Sequence, residues 1–298
     1  MVRGLCKLKK SLNEKVTLFF ILIVVCLFTV ATIYPIVHVV MASVSDGDLI
    51  MAHQGMLWRP LNFNIDAYKR VFENEMIVRG YLNTLIIVLI TLMINFVLTS
   101  FAAFFLSRKY LYTKNVVMLF ILFTMYFNGG TVPFYFAVKN LGLYDTLWAI
   151  ILPASASAFN IIILRTTFST VPESIEEAAR IDGASHFSIL FKIFVPLSKA
   201  AIAVIMLYYL VAHWNSWFNA MIFLKTREKY PLQLVLREIL VQNDTSEMTG
   251  GMPMDAMQAV GETVKYAVIV VSTLPLMIIY PFLQKYFAKG AMIGAVKG

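Results

Sequence analysis

Long apolar runs dominate the chain, and short polar segments separate them. Each run holds 18 to 25 consecutive residues without Asp, Glu, Lys or Arg. A helix of about 20 such residues crosses the roughly 30 Å hydrocarbon core of a bilayer. The predicted spans are 16–40, 83–106, 115–138, 147–164, 200–224 and 266–284. The pattern therefore predicts an all-α integral membrane protein with six transmembrane helices.

Composition agrees with a membrane protein and excludes an ordinary soluble domain. Of the 298 residues, 59% are hydrophobic and 14% are charged, whereas soluble domains carry about 25% charged residues. The first span is too long, and too poor in small residues at its end, for a cleaved signal peptide. Cys6 and Cys26 lie before and within that span, where neither a disulfide nor a metal site is expected.

The distribution of charge predicts that both termini are cytoplasmic, because Lys and Arg are retained on that side of a membrane. With this orientation, the inner segments hold 15 basic and 5 acidic residues and the outer segments 10 and 12. These balances, +10 and −2, sum to the net charge of +8. The basic excess therefore reports membrane topology, and no nucleic-acid partner is expected.

We expect one membrane domain over residues 1–298, with two larger outer loops. In the first loop, 45–82, DAYKRVFENEM has an apolar side at helical spacing and predicts a short interfacial helix. In the second loop, 225–265, PLQLVLREIL predicts another short helix. The following QNDTSEMTGGMPMD is typical of a mobile loop.

The predicted cytoplasmic segment 165–199 is the longest inner connection, and it begins with signals for a short helix. Thr170 and Glu173 have capping-box spacing, and Pro172 suits the first turn. Glu176 and Arg180 form an i, i+4 pair. These features predict a helix whose negative charge lies near its N-terminus, where the helix dipole favours it.

A glycine turn and a second helix are predicted to follow. Gly183, after Asp182, can adopt the left-handed conformation that ends helices. Ser185 can cap the next helix, and Pro196 can end it. Apolar residues repeat at i, i+3, i+4 and i+7 along this second helix, namely Phe187, Leu190, Phe191 and Phe194. The small side chains near the turn favour close docking of a partner protein.

At this point the residues resemble a known family. EEAARIDGASHFSILFKIFVP matches the signature loop of the membrane-spanning subunits of ATP-binding cassette (ABC) importers. The match consists of EAA, three residues, Gly, nine residues, Ile, one residue, an apolar residue and Pro. The matching positions are Glu177, Ala178, Ala179, Gly183, Ile193, Val195 and Pro196. Val195 stands where Leu is commoner, which is a conservative change.

The resemblance extends over nearly the whole chain. YLNTLIIVLI, NLGLYDTLWAIILPASASAFNIIILRTTF, AHWNSWFNAMIFL and the ending QKYFAKGAMIGAVKG are similar to carbohydrate permeases of the maltose-permease type. FNGGTVPFYFAVKNLGL, HWNSWFNA and YPLQLVLREIL look most like the subgroup for complex oligosaccharides and polysaccharide fragments.

This resemblance implies a type I ABC importer permease in a bacterial cytoplasmic membrane. Its implied partners are a second permease in a heterodimer, two ATPase subunits, an extracellular solute-binding protein and a carbohydrate solute. The chain has no G-x-x-x-x-G-K-[ST] motif, so we expect no enzymatic activity and no cofactor of its own, with ATP and Mg on the ATPase subunits. The implied ATPase-coupling residues are Glu177, Ala178, Ala179, Arg180, Asp182, Gly183, Ala184 and Ser185. The tail residues Lys297 and Gly298 are implied to reach the ATPase subunits.

The absence of charge from all six spans favours a neutral, hydroxyl-rich solute. Amides can hydrogen-bond its hydroxyls, and aromatic rings can contact its C–H faces. The candidate pathway residues are Trp214, Asn215, Asn219, Asn160, Tyr208 and Asn128, together with Tyr209 and Trp217. Interhelical hydrogen bonding by the amides and interfacial anchoring by the rings stay open as alternatives. His213 is interpreted as a packing residue.

Two other functions stay open at this stage. The same class of importer could carry a polyamine, a metal chelate or an anion, although such a solute would favour charged pathway residues. An ion-coupled secondary carrier or an intramembrane enzyme is disfavoured, because the chain has no paired intramembrane carboxylates, no G-x-S-x-G and no H-E-x-x-H.

Overall fold

The computed structural model describes residues 12–241 and 254–295. The helices in these ranges are α1 (Leu12–Ser43), α2 (Gly47–Ala52), α3 (Asp66–Glu73), α4 (Glu75–Ser107), α5 (Lys114–Tyr126), α6 (Thr131–Asn140), α7 (Trp148–Ile151), α8 (Ala158–Phe168), α9 (Glu173–Ile181), α10 (His186–Ile189), α11 (Val195–Leu197), α12 (Lys199–Trp214), α13 (Phe218–Phe223), α14 (Leu232–Val241) and α15 (Met254–Ala295). A π-helical turn, Leu190–Phe194, joins α10 to α11, and Arg227–Lys229 forms a 3₁₀ turn. Since no strand occurs in the described ranges, the all-α prediction is confirmed there.

Three helical stretches are long and apolar enough to cross a membrane, and they are Asn13–Ser43, Glu75–Ser107 and Gln258–Phe282. Two bent pairs, α5 with α6 and the α10–α11 segment with α12, raise the number of candidate spans in the described residues to 5. Several apolar spans are therefore confirmed. The short helices predicted in the outer loops correspond to α3 and α14. Of the predicted mobile stretch 242–255, residues 242–253 lie outside the described residues, whereas Met254 and Asp255 are helical and begin α15.

The third predicted span, 115–138, is not one continuous helix. α5 ends at Tyr126, α6 begins at Thr131, and the two axes differ by 115°. Gly130 has φ +87°, a conformation that side chains disfavour, and Asn128 Oδ1 accepts a hydrogen bond of 2.8 Å from its N–H. The apolar composition therefore concealed a turn that Asn128 and Gly130 stabilise.

The fourth and fifth predicted spans are also interrupted. Residues 152–157 separate α7 from α8, and residues 215–217 separate α12 from α13. Pro153 in the first break has no N–H for a helical hydrogen bond. In the second, Asn215 Nδ2 donates to the Val211 carbonyl at 2.9 Å, a local bond of the kind that competes with helix continuation.

A buried amide stabilises the break between α7 and α8. The hydrogen-bond network assigns the nitrogen of Asn95 to the carbonyl oxygens of Ala154 at 3.1 Å and Ser155 at 2.7 Å, while its oxygen accepts from His213 Nε2 at 2.8 Å. Asn95 is fully buried in α4. Because unpaired backbone groups are costly in a membrane, this amide makes a broken helix tolerable there. The interpretation of His213 as a packing residue agrees with this contact.

Tyr209 of α12 stabilises the other side of the same break. Its hydroxyl accepts a hydrogen bond of 3.0 Å from the Ser157 N–H and lies 2.8 Å from Thr99 Oγ1. Tyr209 and Thr99 are both buried. Polar side chains of α4 and α12 thus replace the helical hydrogen bonds that α7 and α8 lack at their junction.

The described residues divide into two compact units, 12–71 with 254–270 and 72–241 with 271–295. In the first unit, Ser43 Oγ lies 2.7 Å from Tyr68 Oη, and Ser45 Oγ accepts from Leu61 N at 3.0 Å. Gly47 packs closely on Ala259, since a Cβ at Gly47 would come within 2.3 Å of the Ala259 carbonyl oxygen. Most of the apolar residues of α1 are exposed. The prediction of a single membrane domain stays a prediction.

In the second unit, α4 is the central helix and packs against α8, α12 and α14. At one end, Ala103 and Phe104 pack with side chains from α8 and from the 186–197 segment in a single apolar cluster. At the other end, Ile87 packs with residues of α7, α13 and α14. The core of α4 therefore positions the segment that the sequence predicts to be the cytoplasmic docking site.

Candidate functional site

The predicted helix, glycine turn and helix are confirmed between residues 173 and 197. Asp182 follows α9, and Gly183 adopts φ +78°. The Gly183 N–H donates to the Arg180 carbonyl at 3.0 Å, and the Ala184 N–H donates to the Ala179 carbonyl at 2.9 Å. These two bonds form the Schellman motif that ends helices with a left-handed glycine. Gly183 therefore fixes the angle at which the second helix departs.

The start of α9 differs in detail from the prediction. Thr170 does not form the capping box with Glu173, because its Oγ1 donates back to the Thr167 carbonyl at 2.8 Å. Pro172 immediately precedes the helix and provides no side-chain hydrogen bond. By contrast, Ser185 caps α10 as predicted, since its Oγ accepts from the Ser188 N–H at 3.3 Å.

The second helix changes from α-helical to π-helical geometry before Pro196, the residue at which the sequence predicts its end. Residues Leu190–Phe194 form a π-helical turn in which the Val195 N–H donates to the Leu190 carbonyl. Pro196 cannot donate a helical hydrogen bond, and its ring crowds the carbonyl four residues earlier, so a wider turn is accommodated here. α11 ends at Leu197, and the helix axis then bends by 88° into α12.

A buried ion pair attaches α9 to the end of α4. Arg108 Nη1 donates to Glu176 Oε2, and the two side chains are 5% and 6% exposed. Arg180 Nη2 donates to the other oxygen, Glu176 Oε1, at 2.7 Å, which confirms the predicted i, i+4 pair. Arg180 also donates to the Tyr110 hydroxyl and lies over its ring at 4.6 Å. Two guanidinium groups therefore neutralise one buried carboxylate.

Aromatic rings surround the Arg108 guanidinium, whose carbon lies 4.9 Å from the centroid of the Phe104 ring and 4.4 Å from that of Phe194. Burial lowers the pKa of Arg108, although an arginine remains charged at neutral pH. A planar, weakly hydrated guanidinium suits such an apolar sandwich. Arg108 thereby connects three elements, namely α4, α9 and the π-helical turn.

No local pattern predicted this ion pair, because Arg108 and Glu176 lie 68 positions apart. The charge pattern assigned Arg108 to topology and Glu176 to its local pair with Arg180. The pair borders a cavity of about 360 Å³. The cavity is lined by Arg108, Lys109, Tyr110, Glu173, Glu176, Glu177 and Arg180.

The residues matching the family motif divide into an exposed and a packed group. Glu177, Ala178, Asp182, Gly183 and Ser185 are exposed. Glu177 has no ion pair among the described residues. Ala179 and Ala184 instead pack partly against the apolar cluster at the end of α4. The exposed group offers polar atoms and small side chains to a partner, while the packed group holds the turn in place.

Apolar residues accompany the exposed motif residues. The side chain of Ile181 is 86% exposed and that of Phe187 is 65% exposed. The Phe187 ring meets the Phe101 ring edge-on at 5.3 Å, while Leu190 and Phe194 are buried. The predicted apolar face of the second helix is therefore confirmed as a packing face, with Ile181 left uncovered beside the turn.

The structure separates the candidate pathway residues. Trp214 is buried and donates through Nε1 to the Ser272 carbonyl at 3.1 Å, whereas its neighbour Asn215 is exposed. Asn160 is buried, and no described residue donates a hydrogen bond to its Oδ1. Tyr208 is 43% exposed, Asn219 is half-buried and Asn128 is exposed. The candidates thus lie on different elements, with Asn128, Asn215 and Trp217 in breaks and the others within α8, α12 and α13. Lys297 and Gly298 lie outside the described residues.

Sequence reasoning also missed a polar junction at Asp145, between α6 and α7. Asp145 has φ +56°, and its Oδ1 accepts from the backbone N–H groups of Lys225 at 3.0 Å and Thr226 at 2.9 Å. Its Oδ2 accepts from Thr226 Oγ1 at 2.6 Å and lies 3.1 Å from Lys229 Nζ. The hydrogen bonds from Thr226 and Lys225, together with Lys229, hold the pKa of Asp145 well below its usual range. This carboxylate joins the segment between the third and fourth predicted spans to the start of the predicted outer loop 225–265.

Substituting Asp145 with Asn should destabilise the protein at neutral pH and remove part of its acid sensitivity. A lowered folded-state pKa means that the ionised carboxylate stabilises the fold above the unfolded pKa of about 3.9, and that this stabilisation is lost as the pH falls toward the folded value. Thermal unfolding midpoints of detergent-purified protein between pH 7 and pH 2 measure the effect. The difference between wild type and variant should stay constant down to about pH 4 and should narrow below it, and a difference that does not narrow below pH 4 would contradict the role of the ionised form.

Within the described residues, no group of three or more His, Cys, Asp or Glu side chains could hold a metal ion. The site described above consists of hydrogen bonds, ion pairs and an exposed surface of polar and small side chains. Its arrangement is suited to contact with another protein.

Comparisons with known proteins agree with this arrangement. Residues 78–292 match the family model described as binding-protein-dependent transport system inner membrane component. The chain is 40% identical over 277 residues to the polygalacturonan/rhamnogalacturonan transport system permease protein YtcP of Bacillus subtilis (strain 168), which covers 91% of this chain and 95% of that protein. It is 26% identical to the maltodextrin transport system permease protein MdxG of the same organism, over 80% of this chain and 82% of that one.

A solved structure has the same fold. One chain of a bacterial ABC transporter involved in the import of the acidic polysaccharide alginate superimposes with a TM-score of 0.85 and 32% sequence identity. The match covers 94% of the present chain and 100% of the other. The structural similarity therefore extends over nearly the whole chain.

Proposed function

Because the chain belongs to the family of binding-protein-dependent transport system inner membrane components, we propose that it is the membrane-spanning subunit of an ATP-driven importer of oligosaccharides. The chain forms part of the solute pathway and does not hydrolyse ATP itself. Similarity to permeases for polygalacturonan/rhamnogalacturonan and maltodextrin supports a carbohydrate solute. Similarity to an importer of alginate supports it further.

One observation carries the coupling part of this proposal: an exposed helix–turn–helix is attached to the longest helix of the second unit through a buried ion pair. Glu177, Ala178 and Gly183 are presented to a partner, while Glu176 is bound to Arg108 at the end of α4. Movement of a partner docked on this surface is transmitted to α4 as a rigid displacement. Interfaces of this kind convert small shifts into rotations of packed helices.

The proposed topology has six spans with both termini in the cytoplasm. The three uninterrupted stretches provide spans one, two and six. The broken segments α5–α6, α7–α8 and α12–α13 provide spans three to five. The concentration of Lys and Arg on the predicted inner segments supports this orientation. We propose that the chain is a multi-pass protein of the bacterial cytoplasmic membrane.

The breaks in the spans are the proposed solute-facing positions. α5 contains 13 residues, about 20 Å of helix at about 1.5 Å per residue, so the exposed break at 127–130 lies within the hydrocarbon depth. Non-helical backbone at such depth is tolerated where it is buried in protein or lines a water-filled cavity. Asn128 lies in this break, and Asn215 and Asn219 lie in or next to the break at 215–217. These three residues supply amides for sugar hydroxyls.

The proposed partners follow from the same assignment. A second permease completes the pathway as a heterodimer, and an extracellular solute-binding protein delivers the sugar. Two ATPase subunits bind ATP and Mg, and one of them docks on the exposed residues Glu177, Ala178 and Gly183 of this chain. The family description includes dependence on a binding protein. The tail residues Lys297 and Gly298 are proposed to contact the ATPase subunits.

Two substitutions at neighbouring positions should separate packing from solute contact. Trp214→Ala should lower the free energy of unfolding by about 3–5 kcal/mol, because it removes a large buried ring and its hydrogen bond. Asn215→Ala, at an exposed position, should leave stability within about 0.5 kcal/mol and alter the rate of sugar transport. Unfolding midpoints in detergent and uptake into proteoliposomes measure the two effects. Equal loss of stability in both variants would contradict this separation.

The experiment that tests the proposed function is reconstitution of the chain with its partner permease, ATPase subunits and binding protein in liposomes. An oligosaccharide presented on the binding protein should stimulate ATP hydrolysis and accumulate inside. Failure of every tested oligosaccharide, with stimulation by a polyamine or a metal chelate instead, would overturn the carbohydrate assignment while leaving the importer class intact.

A further inference from the structure

A guanidinium group lies over an indole ring at the break in the fifth predicted span. The guanidinium carbon of Arg237, from α14, is 4.8 Å from the centroid of the Trp217 ring. Trp217 lies in the break between α12 and α13, and α13 packs against α14. The two side chains therefore come from separate segments that tertiary packing brings together.

Arg237 differs from the neighbouring arginine of the same region. Arg227 binds Glu238, with Nη2 and Oε2 3.2 Å apart. Arg237 has no ion pair with any residue of the described ranges. It is half-buried, and Trp217 is 36% exposed. A partly desolvated guanidinium without a carboxylate among the described residues is suited to bind an anionic group from outside the chain.

The surroundings of this pair match the chemistry of a sugar. Phe218 meets the Trp217 ring edge-on at 5.7 Å, and exposed Asn215 and half-buried Asn219 lie on either side in sequence. Aromatic rings contact the C–H surface of pyranose rings, and amides hydrogen-bond their hydroxyls. A guanidinium with two parallel N–H donors adds recognition of a carboxylate.

The pair lies toward the predicted outer end of the span. α12 begins at Lys199 on the predicted inner side and contains 16 residues, which is about 24 Å of helix at about 1.5 Å per residue. Trp217 follows its end, so it is near the outer boundary of a hydrocarbon core of about 30 Å. A charge is less costly there than at mid-depth.

We propose that Arg237 and Trp217 form a subsite at the outer mouth of the pathway that recognises the carboxylate of an acidic oligosaccharide. This inference rests on the proposed function as a carbohydrate permease. It departs from the expectation of a neutral solute, which considered only the spans. Arg237 lies in an outer-loop helix beyond them, so the absence of charge within the spans does not exclude an acidic sugar.

The test compares Arg237→Gln with wild type in the complete reconstituted complex. The probes are a trisaccharide of hexuronic acids and a neutral hexose trisaccharide, each presented at saturating binding protein. Arg237→Gln should lower uptake of the uronate about 10- to 100-fold, the effect of losing a charged hydrogen-bonded pair, and should leave the neutral sugar unchanged. Arg237→Lys should recover part of the uronate uptake. Arg227→Gln is the matched control and should not discriminate between the sugars.

The outcomes distinguish this inference from the proposed function. If wild type transports the neutral sugar and not the uronate, or if Arg237→Gln lowers both equally, the acidic subsite is wrong and the permease assignment stands. If wild type transports neither sugar and no other oligosaccharide stimulates ATP hydrolysis, both proposals are overturned. Selective loss of uronate uptake in Arg237→Gln supports both.

Discussion

Substituting Arg108 with Leu is expected to lower the free energy of unfolding by about 3–5 kcal/mol, because it leaves the buried carboxylate of Glu176 with one of its two cationic partners. The remaining partner, Arg180, is 40% exposed, whereas Arg108 is 5% exposed. The ion pair that Arg180 makes with the carboxylate is therefore more hydrated than the one that is lost. The substitution also removes the guanidinium from between the rings of Phe104 and Phe194. Unfolding midpoints in detergent, measured at neutral pH, give the change.

A neighbouring ion pair provides the matched control. Lys109 Nζ lies 3.1 Å from Glu173 Oε1, and these side chains are 77% and 53% exposed. Substituting Lys109 with Leu should cost no more than about 1 kcal/mol, because exposed pairs are screened by water and salt. The double variant Arg108→Leu with Glu176→Leu should recover much of the loss, since no unpaired buried carboxylate remains. Equal effects at Arg108 and Lys109 would show that burial does not determine the strength of the pair.

The same variants test transmission of movement. If the ion pair holds α9 rigidly to α4, its loss should lower sugar transport per ATP hydrolysed, even in complexes that remain assembled. The double variant should regain stability without regaining full coupling, because a hydrophobic contact lacks the directional hydrogen bonds that fix α9. Transport and ATP hydrolysis measured on the same proteoliposomes give this ratio.

Glu177→Lys is expected to abolish transport, or to reduce it at least about tenfold, while leaving the isolated subunit stable. Glu177 is exposed and has no ion pair within the described residues, so charge reversal there should cost this chain within about 0.5 kcal/mol. A partner surface complementary to a carboxylate would instead meet a like charge, which costs several kcal/mol at an interface. The loss should therefore arise in docking of the ATPase.

Glu173→Lys is the matched control for this charge reversal. Glu173 lies one turn earlier on α9, is also exposed, and pairs with Lys109 within this chain. We expect it to weaken that pair slightly and to leave ATPase binding largely intact. Copurification of the ATPase subunits and transport rates should separate the two variants. Normal transport by Glu177→Lys, or equal defects in both, would refute the docking role of Glu177.

Local signals in the sequence predicted the helix, glycine turn and helix of residues 173–197 well. Gly183, Ser185 and the repeat of apolar residues from Phe187 to Phe194 act over one or two helical turns, so their effects can be read from spacing alone. The structure confirms the glycine turn, the serine cap and the packing face. The capping box at Thr170 is wrong, because its hydroxyl donates to the preceding turn instead, and Pro172 precedes α9 instead of lying in its first turn.

The breaks within the spans were not predictable to the same extent. Hydrophobic runs such as 147–164 and 200–224 have the composition of continuous helices, and Pro153 or Asn215 alone does not decide where a helix ends. The break near Ala154 is stable because Asn95, nearly 60 positions earlier in the chain, satisfies its carbonyl groups. A contact between distant segments also explains why Trp214 and Asn215, adjacent in sequence, face different surroundings. Trp214 is buried and donates to the Ser272 carbonyl, whereas Asn215 is exposed.

Hydrophobicity and local capping thus determined, from the sequence alone, that this protein is an α-helical membrane protein with a helix–glycine–helix segment over residues 173–197. These properties depend on residues within a few turns of one another. Only the tertiary structure decided which charges are buried, where the spans break and that Arg237 has no carboxylate partner among the described residues. Glu176 meets Arg108, and Arg237 meets Trp217, through contacts between distant segments. Their free energies depend on burial and geometry that exist once the helices have packed.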